Sequence, residues 1–275
     1  MISPAVTISL VPQAKGGPFV FWGELESSCA EAASLGFDAV EIFPPSADAL
    51  DARQLKSLLA SHRLKLAAMG TGAGWVLHKL RLTDPDPTIR QRAVEFASSV
   101  IDFAGGFGAP AIIGSMQGRF DNGLSRERAL VWLREALEQL AARARTQGAP
   151  LLFEPLNRYE SNLINCVEDG LALLQSLKAR NVKLLCDLFH MNIEEVSIPD
   201  ALRSAASHLG HLHFVDSNRR AAGLGHLDFA PIVQALRDIG FAGYVSAEAL
   251  PWPDSEKAAK QTMAAFRKYF SDFSA

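Results

Sequence analysis

Four short segments in the second half of the chain each end an apolar run on a carboxylate or an imidazole. They are Leu151-Leu-Phe-Glu154, Leu184-Leu-Cys-Asp187, His211-Leu-His213 and Tyr244-Val-Ser-Ala-Glu248. Such runs have the pattern of buried strands. Their terminal groups, three acids and one histidine, lie roughly 25–35 residues apart. That spacing is expected when successive βα units of a parallel barrel each contribute one ligand at the carboxyl end of a strand. Converging polar groups of this kind are costly to desolvate unless a cation compensates them. Glu154, Asp187, His213 and Glu248 are therefore read as a mononuclear divalent-metal site. Three carboxylates and one imidazole suit Mn²⁺, Mg²⁺ or Co²⁺ better than a thiolate-preferring metal, with Zn²⁺ also accommodated.

Further polar groups follow the same strands. Glu160 ends Asn157-Arg-Tyr-Glu, His190 lies three residues after Asp187, and Arg219 lies six after His213. Loops on the metal's face of a barrel would carry all three, with donors and acceptors suited to a small polyhydroxylated ligand. His211, two residues before His213, should point into the barrel one layer deeper and is assigned to structure. Trp75, Phe21, Trp22 and Phe43 are candidates for a pocket wall, with core packing as the alternative for each. His78 and Arg119 are candidates for reaching a terminal hydroxyl or a phosphate, with surface charge as the alternative.

The elements that must position these residues alternate along the whole chain. Strand-like runs at Val6–Val11, Ala39–Phe43, Leu64–Met69, Pro110–Gly114, Pro150–Phe153, Val182–Cys186, His211–Phe214 and Tyr244–Ala247 are separated by helical patterns. The expected helices are Glu24–Leu35, Ala52–Ser61, Thr88–Phe103, Ser125–Gln147, Val167–Ala179, Asp200–Ser207, Phe229–Ile239 and Ser255–Phe270. Three junctions, Leu35-Gly-Phe-Asp, Phe107-Gly-Ala-Pro and Ile239-Gly-Phe-Ala, put a glycine where a helix ends in the left-handed region. Eight alternations with short connections predict an α/β fold, a (β/α)8 TIM barrel forming a single domain over residues 1–275. An open doubly wound sheet is the structural rival; with no Gly-x-Gly-x-x-Gly after the first strand and no P-loop, nucleotide cradling is not supported.

Composition narrows the function classes. A formal net charge of −3 gives no electrostatic footprint for nucleic acid or an anionic membrane. Three cysteines (Cys29, Cys166 and Cys186) have no metal-finger spacing and form no disulfide framework; Cys186 reads as a small core residue. With no secretory leader and no transmembrane run, the expectation is a cytoplasmic protein acting on a small molecule.

The segments Glu-Pro-Leu-Asn-Arg-Tyr-Glu (154–160), Asp-Leu-Phe-His-Met-Asn (187–192), His-Phe-x-x-Ser-Asn-Arg (213–219) and Ala-Glu248 resemble the D-tagatose/D-psicose 3-epimerase group of xylose-isomerase-like TIM barrels. The resemblance runs over most of the chain and is most specific in residues 150–250. It implies that Glu154, Asp187, His213 and Glu248 hold Mn²⁺ or Co²⁺ and that the two glutamates serve as acid and base. It also implies that Glu160, His190 and Arg219 grip a ketose, and that the protein is a homodimer or homotetramer. Two features depart from the pattern. Asp216 stands where that group usually carries Glu, and Gly225-His-Leu-Asp-Phe replaces its usual segment after the arginine.

Removing a proton next to a ketone requires stabilisation of the resulting enediolate, which a chelated cation provides. Two carboxylates can then remove the C3 proton and return one to the other face, inverting C3. The expected activity is thus a metal-dependent ketose 3-epimerase on a free or phosphorylated sugar, with Glu154 and Glu248 equivalent at this stage. Alternatives on the same site are an aldose–ketose isomerase of the hydroxypyruvate-isomerase kind and a metal-dependent sugar dehydratase. A non-catalytic sugar binder is disfavoured by the two glutamates. A three-metal repair nuclease is disfavoured by Met69-Gly-Thr-Gly and Gly114-Ser-Met-Gln, which lack its histidines.

Overall fold

The computed structural model describes residues 1–121 and 123–271. Nine strands follow in chain order: β1 (Ile2–Ser9), β2 (Phe21–Trp22), β3 (Ala39–Phe43), β4 (Lys65–Gly70), β5 (Ala111–Ile113), β6 (Leu151–Phe153), β7 (Val182–Asp187), β8 (Leu209–His213) and β9 (Gly243–Ala247). All pairings among them are parallel, in the order β2-β1-β3-β4-β5-β6-β7-β8-β9, and β1 also pairs with β9. The sheet is therefore closed: β1 and β3–β9 form the eight-stranded barrel, and β2 is a short addition outside it. This is the expected (β/α)8 TIM barrel.

Side-chain alternation sorts each barrel strand into an inner and an outer face. Phe153, Cys186, Leu212 and Val245 turn outward into the core shared with the helices. Ala68, Ile112, Leu152 and Leu185 fill the barrel interior. Burying each large aliphatic side chain contributes about 1.5–3 kcal/mol. Register carries the parity across strands: Leu185 is opposite His211, and Asp187 is opposite His213. The residue ending β7 and the residue ending β8 therefore face the same interior space.

The long helices fall where the sequence places them, with Ala52–Ser61 and Ser255–Phe270 matching at both ends. Asp51 and Asp86 cap their helices by accepting backbone N–H groups. Gly36, Gly108 and Gly240 adopt φ of 94°, 69° and 63°, the left-handed geometry expected at the three repeated junctions. Two short helices, Ala73–His78 and Leu188–Glu194, were not expected. The first begins in a glycine-rich loop whose composition disfavours helix; the second is nucleated by the Asp187 side chain. No described helix is long and apolar enough to cross a membrane.

Candidate active site

Glu154, Asp187, His213 and Glu248 come together at the carboxyl end of the barrel, with ligand-capable atoms all within 4.8 Å of one another. His213 is at the centre. Its Nδ1 lies 3.1 Å from Asp187 Oδ2, 3.6 Å from Glu154 Oε1 and 3.6 Å from Glu248 Oε2. Asp187 divides its two oxygens between tasks. Oδ1 accepts the N–H groups of Phe189 (2.7 Å) and His190 (3.2 Å), capping the helix that follows, while Oδ2 faces His213. Opposite it, Glu154 Oε1 is buried with no hydrogen-bond partner.

The electrostatics reflect that crowding. Burial raises Glu154 well above the ordinary carboxylate range; His213 opposes the rise, while Glu248 and Asp187 add to it. Glu248 is also raised by burial, against the pull of His213 and Arg219. Burial would raise Asp187 too, but His190 and the His213 hydrogen bond override it and hold the group below its usual range. His213 is raised despite burial because Glu41, Glu248 and Asp187 surround it. An unpartnered buried carboxylate oxygen, two more carboxylates and one imidazole nitrogen at this spacing fit a hard or borderline divalent cation.

The three residues expected to grip a ligand surround the cluster. Arg219 donates from Nη1 to Glu160 Oε1 (2.8 Å) and from Nη2 to Glu248 Oε2 (2.9 Å). Its guanidinium also lies 4.8 Å from the centroid of the Phe189 ring. His190 Nδ1 faces two donors of Asn157, the backbone N–H at 3.3 Å and Nδ2 at 2.7 Å. Two donors on one nitrogen make it the acceptor, so the proton of the neutral ring is on Nε2. That Nε2 is buried without a partner, 3.8 Å from Glu154 Oε1. Burial keeps the ring neutral by lowering its pKa. His190 thus presents a single N–H to the cavity.

Arg219 is held by an unusual turn. It is a non-glycine residue at φ 60°, a conformation that costs about 1 kcal/mol or more. Asp216 secures the loop: its carboxylate accepts from the backbone N–H groups of Ser217 (2.7 Å), Gly223 (2.8 Å) and Leu227 (3.1 Å). Outside the loop, the Leu250 N–H donates to the Arg219 carbonyl at 2.7 Å. Burial would raise the Asp216 pKa, but these backbone bonds hold it below its ordinary value.

A cavity of about 520 Å³ opens over the cluster. Its other wall comes from the first half of the barrel and includes Phe19, Phe43, Trp75, Arg81 and Arg119. Of the four aromatic candidates, Phe43 and Trp75 line the cavity. Phe21 is in the core and Trp22 packs edge-on against Phe19. Phe19 takes the place expected of them, tilted over Phe43 at 4.6 Å between centroids. Arg119 reaches the cavity, whereas His78 packs against Phe96.

Besides Phe19, sequence reasoning missed three residues. Asn157 bridges His190 and Glu160, the latter at 3.2 Å. Gly114 gives way to Glu154, since a Cβ there would stand 2.5 Å from Glu154 Oε2. Glu41, in the middle of β3, reaches across the barrel to His211 and His213. Its signal was available: a single acid inside the apolar strand Ala39-Val-Glu-Ile-Phe.

The family model of the xylose isomerase-like TIM barrel matches residues 29–269. A D-psicose 3-epimerase of Ruminiclostridium cellulolyticum is 33% identical over 225 residues, covering 78% of this chain and 75% of that protein. An L-ribulose 3-epimerase of Mesorhizobium japonicum is 29% identical over 255 residues, covering 90% and 83%. Among solved structures, D-psicose 3-epimerase with D-tagatose from Clostridium cellulolyticum H10 superposes with a TM-score of 0.78 at 25% identity, covering 97% of this chain and 98% of that one.

Proposed function

The chain belongs to the xylose isomerase-like TIM barrel family, among its carbohydrate epimerases and isomerases, and we propose that it is a divalent-metal-dependent ketose 3-epimerase. The observation that carries this reading is the pair Glu154 and Glu248, both in the four-donor cluster and reached from strands separated by two others in the barrel. Glu154, Asp187, His213 and Glu248 would hold the cation, with Mn²⁺ the best match to the donor set. When bound, it supplies Lewis-acid stabilisation of the negative charge that develops on the ketose oxygens.

The chain's own groups account for the rest. One of the two glutamates takes the proton from C3, leaving an enediolate. The other returns a proton to C3 from the opposite face, which inverts that carbon. Which glutamate acts first depends on the configuration of the substrate. His190, with its lone Nε2–H, donates to a sugar oxygen. Arg219 ties Glu160 to Glu248 and so keeps a substrate-binding carboxylate in fixed relation to a proton-transferring one. Phe19, Phe43 and Trp75 offer ring faces to the C–H side of the sugar.

The test is proton NMR in D₂O with Mg²⁺ or Zn²⁺ supplied to metal-stripped protein, against a panel of free and phosphorylated ketoses. Mn²⁺ reactions are quenched with chelator before reading. Metal-dependent loss of the C3–H signal with a new C3 epimer is the expected result. Exchange at C1 or C2 would instead identify an aldose–ketose isomerase, and an unsaturated product a dehydratase.

A further inference from the structure

Glu41 is a carboxylate in a place where the barrel, His211 aside, holds small or apolar side chains. It is 5% exposed, and its flanking residues Val40 and Ile42 face the outer core. Its ion-pair partners among the described residues are two imidazoles, with no lysine or arginine. Oε1 lies 3.2 Å from His213 Nε2, and Oε2 lies 2.8 Å from His211 Nε2. The two rings stand nearly perpendicular, at 86° with centroids 5.6 Å apart, so each directs an N–H edge at a different oxygen of the same carboxylate.

A neutral imidazole has one donor nitrogen and one acceptor nitrogen, and an ionised carboxylate only accepts. Both ring nitrogens of His213 face carboxylates, Nε2 that of Glu41 and Nδ1 that of Asp187; with Nδ1 given to the cation, the proton of a neutral ring is on Nε2, where Glu41 accepts it. Its lone pair is then on Nδ1, the nitrogen that faces Asp187, Glu154 and Glu248. We propose that Glu41 is a positioning residue for the metal centre. It fixes the tautomer and ring orientation of His213, and His211 in turn holds Glu41 in place. The inference rests on reading the four-donor cluster as the metal site. It gives His211, one layer below, a role in that site without contact with metal or sugar.

Glu41, His211 and His213 also meet the spacing of a metal cluster on their own. A second ion there would take His213 Nε2 while the first took Nδ1, which requires a fully deprotonated imidazolate bridge. With Nδ1 committed to the four-donor cluster, the 2.8 and 3.2 Å contacts on the Glu41 side are left to N–H donors on carboxylate oxygens.

The experiment compares the wild-type chain with Glu41→Gln and His211→Gln, each stripped by chelator and titrated with Mn²⁺ while free Mn²⁺ is followed by electron paramagnetic resonance. Circular dichroism checks the fold. Wild type should bind one equivalent. Glu41→Gln should bind about 10–100-fold more weakly, with His211→Gln weakened less, and kcat should recover at saturating Mn²⁺ more completely than affinity does. Long-range ¹H–¹⁵N spectra of the Zn²⁺-loaded protein should show a single Nε2–H tautomer for His213 in wild type and a loss of that uniformity in Glu41→Gln. Affinity within twofold of wild type together with an unchanged His213 spectrum would overturn the proposal. So would two Mn²⁺ per wild-type chain. If Glu41→Gln does not fold, an Nδ1–H tautomer in wild type, or unaltered affinity in His211→Gln, overturns it equally. A wild type that binds one Mn²⁺ but exchanges no ketose proton would count against the epimerase reading and leave this inference standing.

Discussion

The two halves of the barrel mouth are built from different materials. Strands β6–β9 and their loops supply the whole four-donor cluster together with Glu160, His190 and Arg219. Strands β1–β5 supply ring faces, small residues and backbone: Phe19, Phe43 and Trp75, with Gly70, Gly72 and Gly114 beside them. The glycines are needed for close approach. A Cβ on Gly70 or Gly72 would stand 2.8 Å from the Phe43 ring. One half therefore carries charge and chemistry, and the other sets shape. The exceptions are Arg81 and Arg119 in the cavity wall and, deeper, Glu41, an acid from the shape-giving half that serves the charged half from below.

That division makes ordered predictions, the first of which would break it most completely. Replacing Glu248 or Glu154 by Gln should lower turnover by about 10²–10⁴-fold while circular dichroism stays unchanged; a fully active Glu248→Gln protein would end the two-base scheme. Removing the metal with chelator should abolish activity and lower the melting temperature. A cation that binds only the folded chain adds about 2.7 kcal/mol at a hundredfold excess over Kd, so a scan with and without Mn²⁺ measures the effect.

Gly114→Ala tests whether the first half intrudes on the second. The methyl would meet Glu154 Oε2 at 2.5 Å, so the substitution should cost about 1–3 kcal/mol of stability in urea titrations and weaken metal binding. Trp75→Ala or Phe43→Ala sharpens the comparison from the other side. Each should change relative kcat/KM between ketoses by about 10–200-fold and leave Mn²⁺ affinity unaltered.

The smallest effect concerns Cys29, which burial pushes up from 9.0 to about 12. In the folded protein it should resist iodoacetamide at pH 8. The thiol stays protonated when folded, so its contribution to stability is full below about pH 9 and lost as pH rises towards 12. Alkylation followed by mass spectrometry reads the first statement, and an alkaline unfolding series the second.

The charged half was legible because each of its groups ends an apolar run, and strand parity then decides which side it faces. Asp187 and His213 needed only that rule, and their register confirms a shared interior position. Glu41 obeys the same parity, but its partners lie 170 and 172 positions away. Its purpose becomes visible only when the barrel closes. The aromatic wall was half legible: Phe43, ending β3, and Trp75 reach the cavity, while Phe21 turns into the core and Phe19 replaces it, because a two-residue strand and the loop before it carry no periodicity to read. The helix Leu188–Glu194 escaped notice because its start is set by a side chain already assigned to metal; Asp187 uses its other oxygen for the cap.

The turn that carries Arg219 has a use in protein engineering. Asp216 satisfies the backbone of residues 217, 223 and 227 from inside the loop, and the Leu250 N–H is its clasp to the next strand's loop. A segment that supplies its own internal scaffold is a portable part. Grafting residues 216–227 onto a related barrel, together with the clasp, would transfer a pre-set arginine rather than a floppy one. Redesign of sugar preference could then proceed on the opposite wall without re-solving this corner.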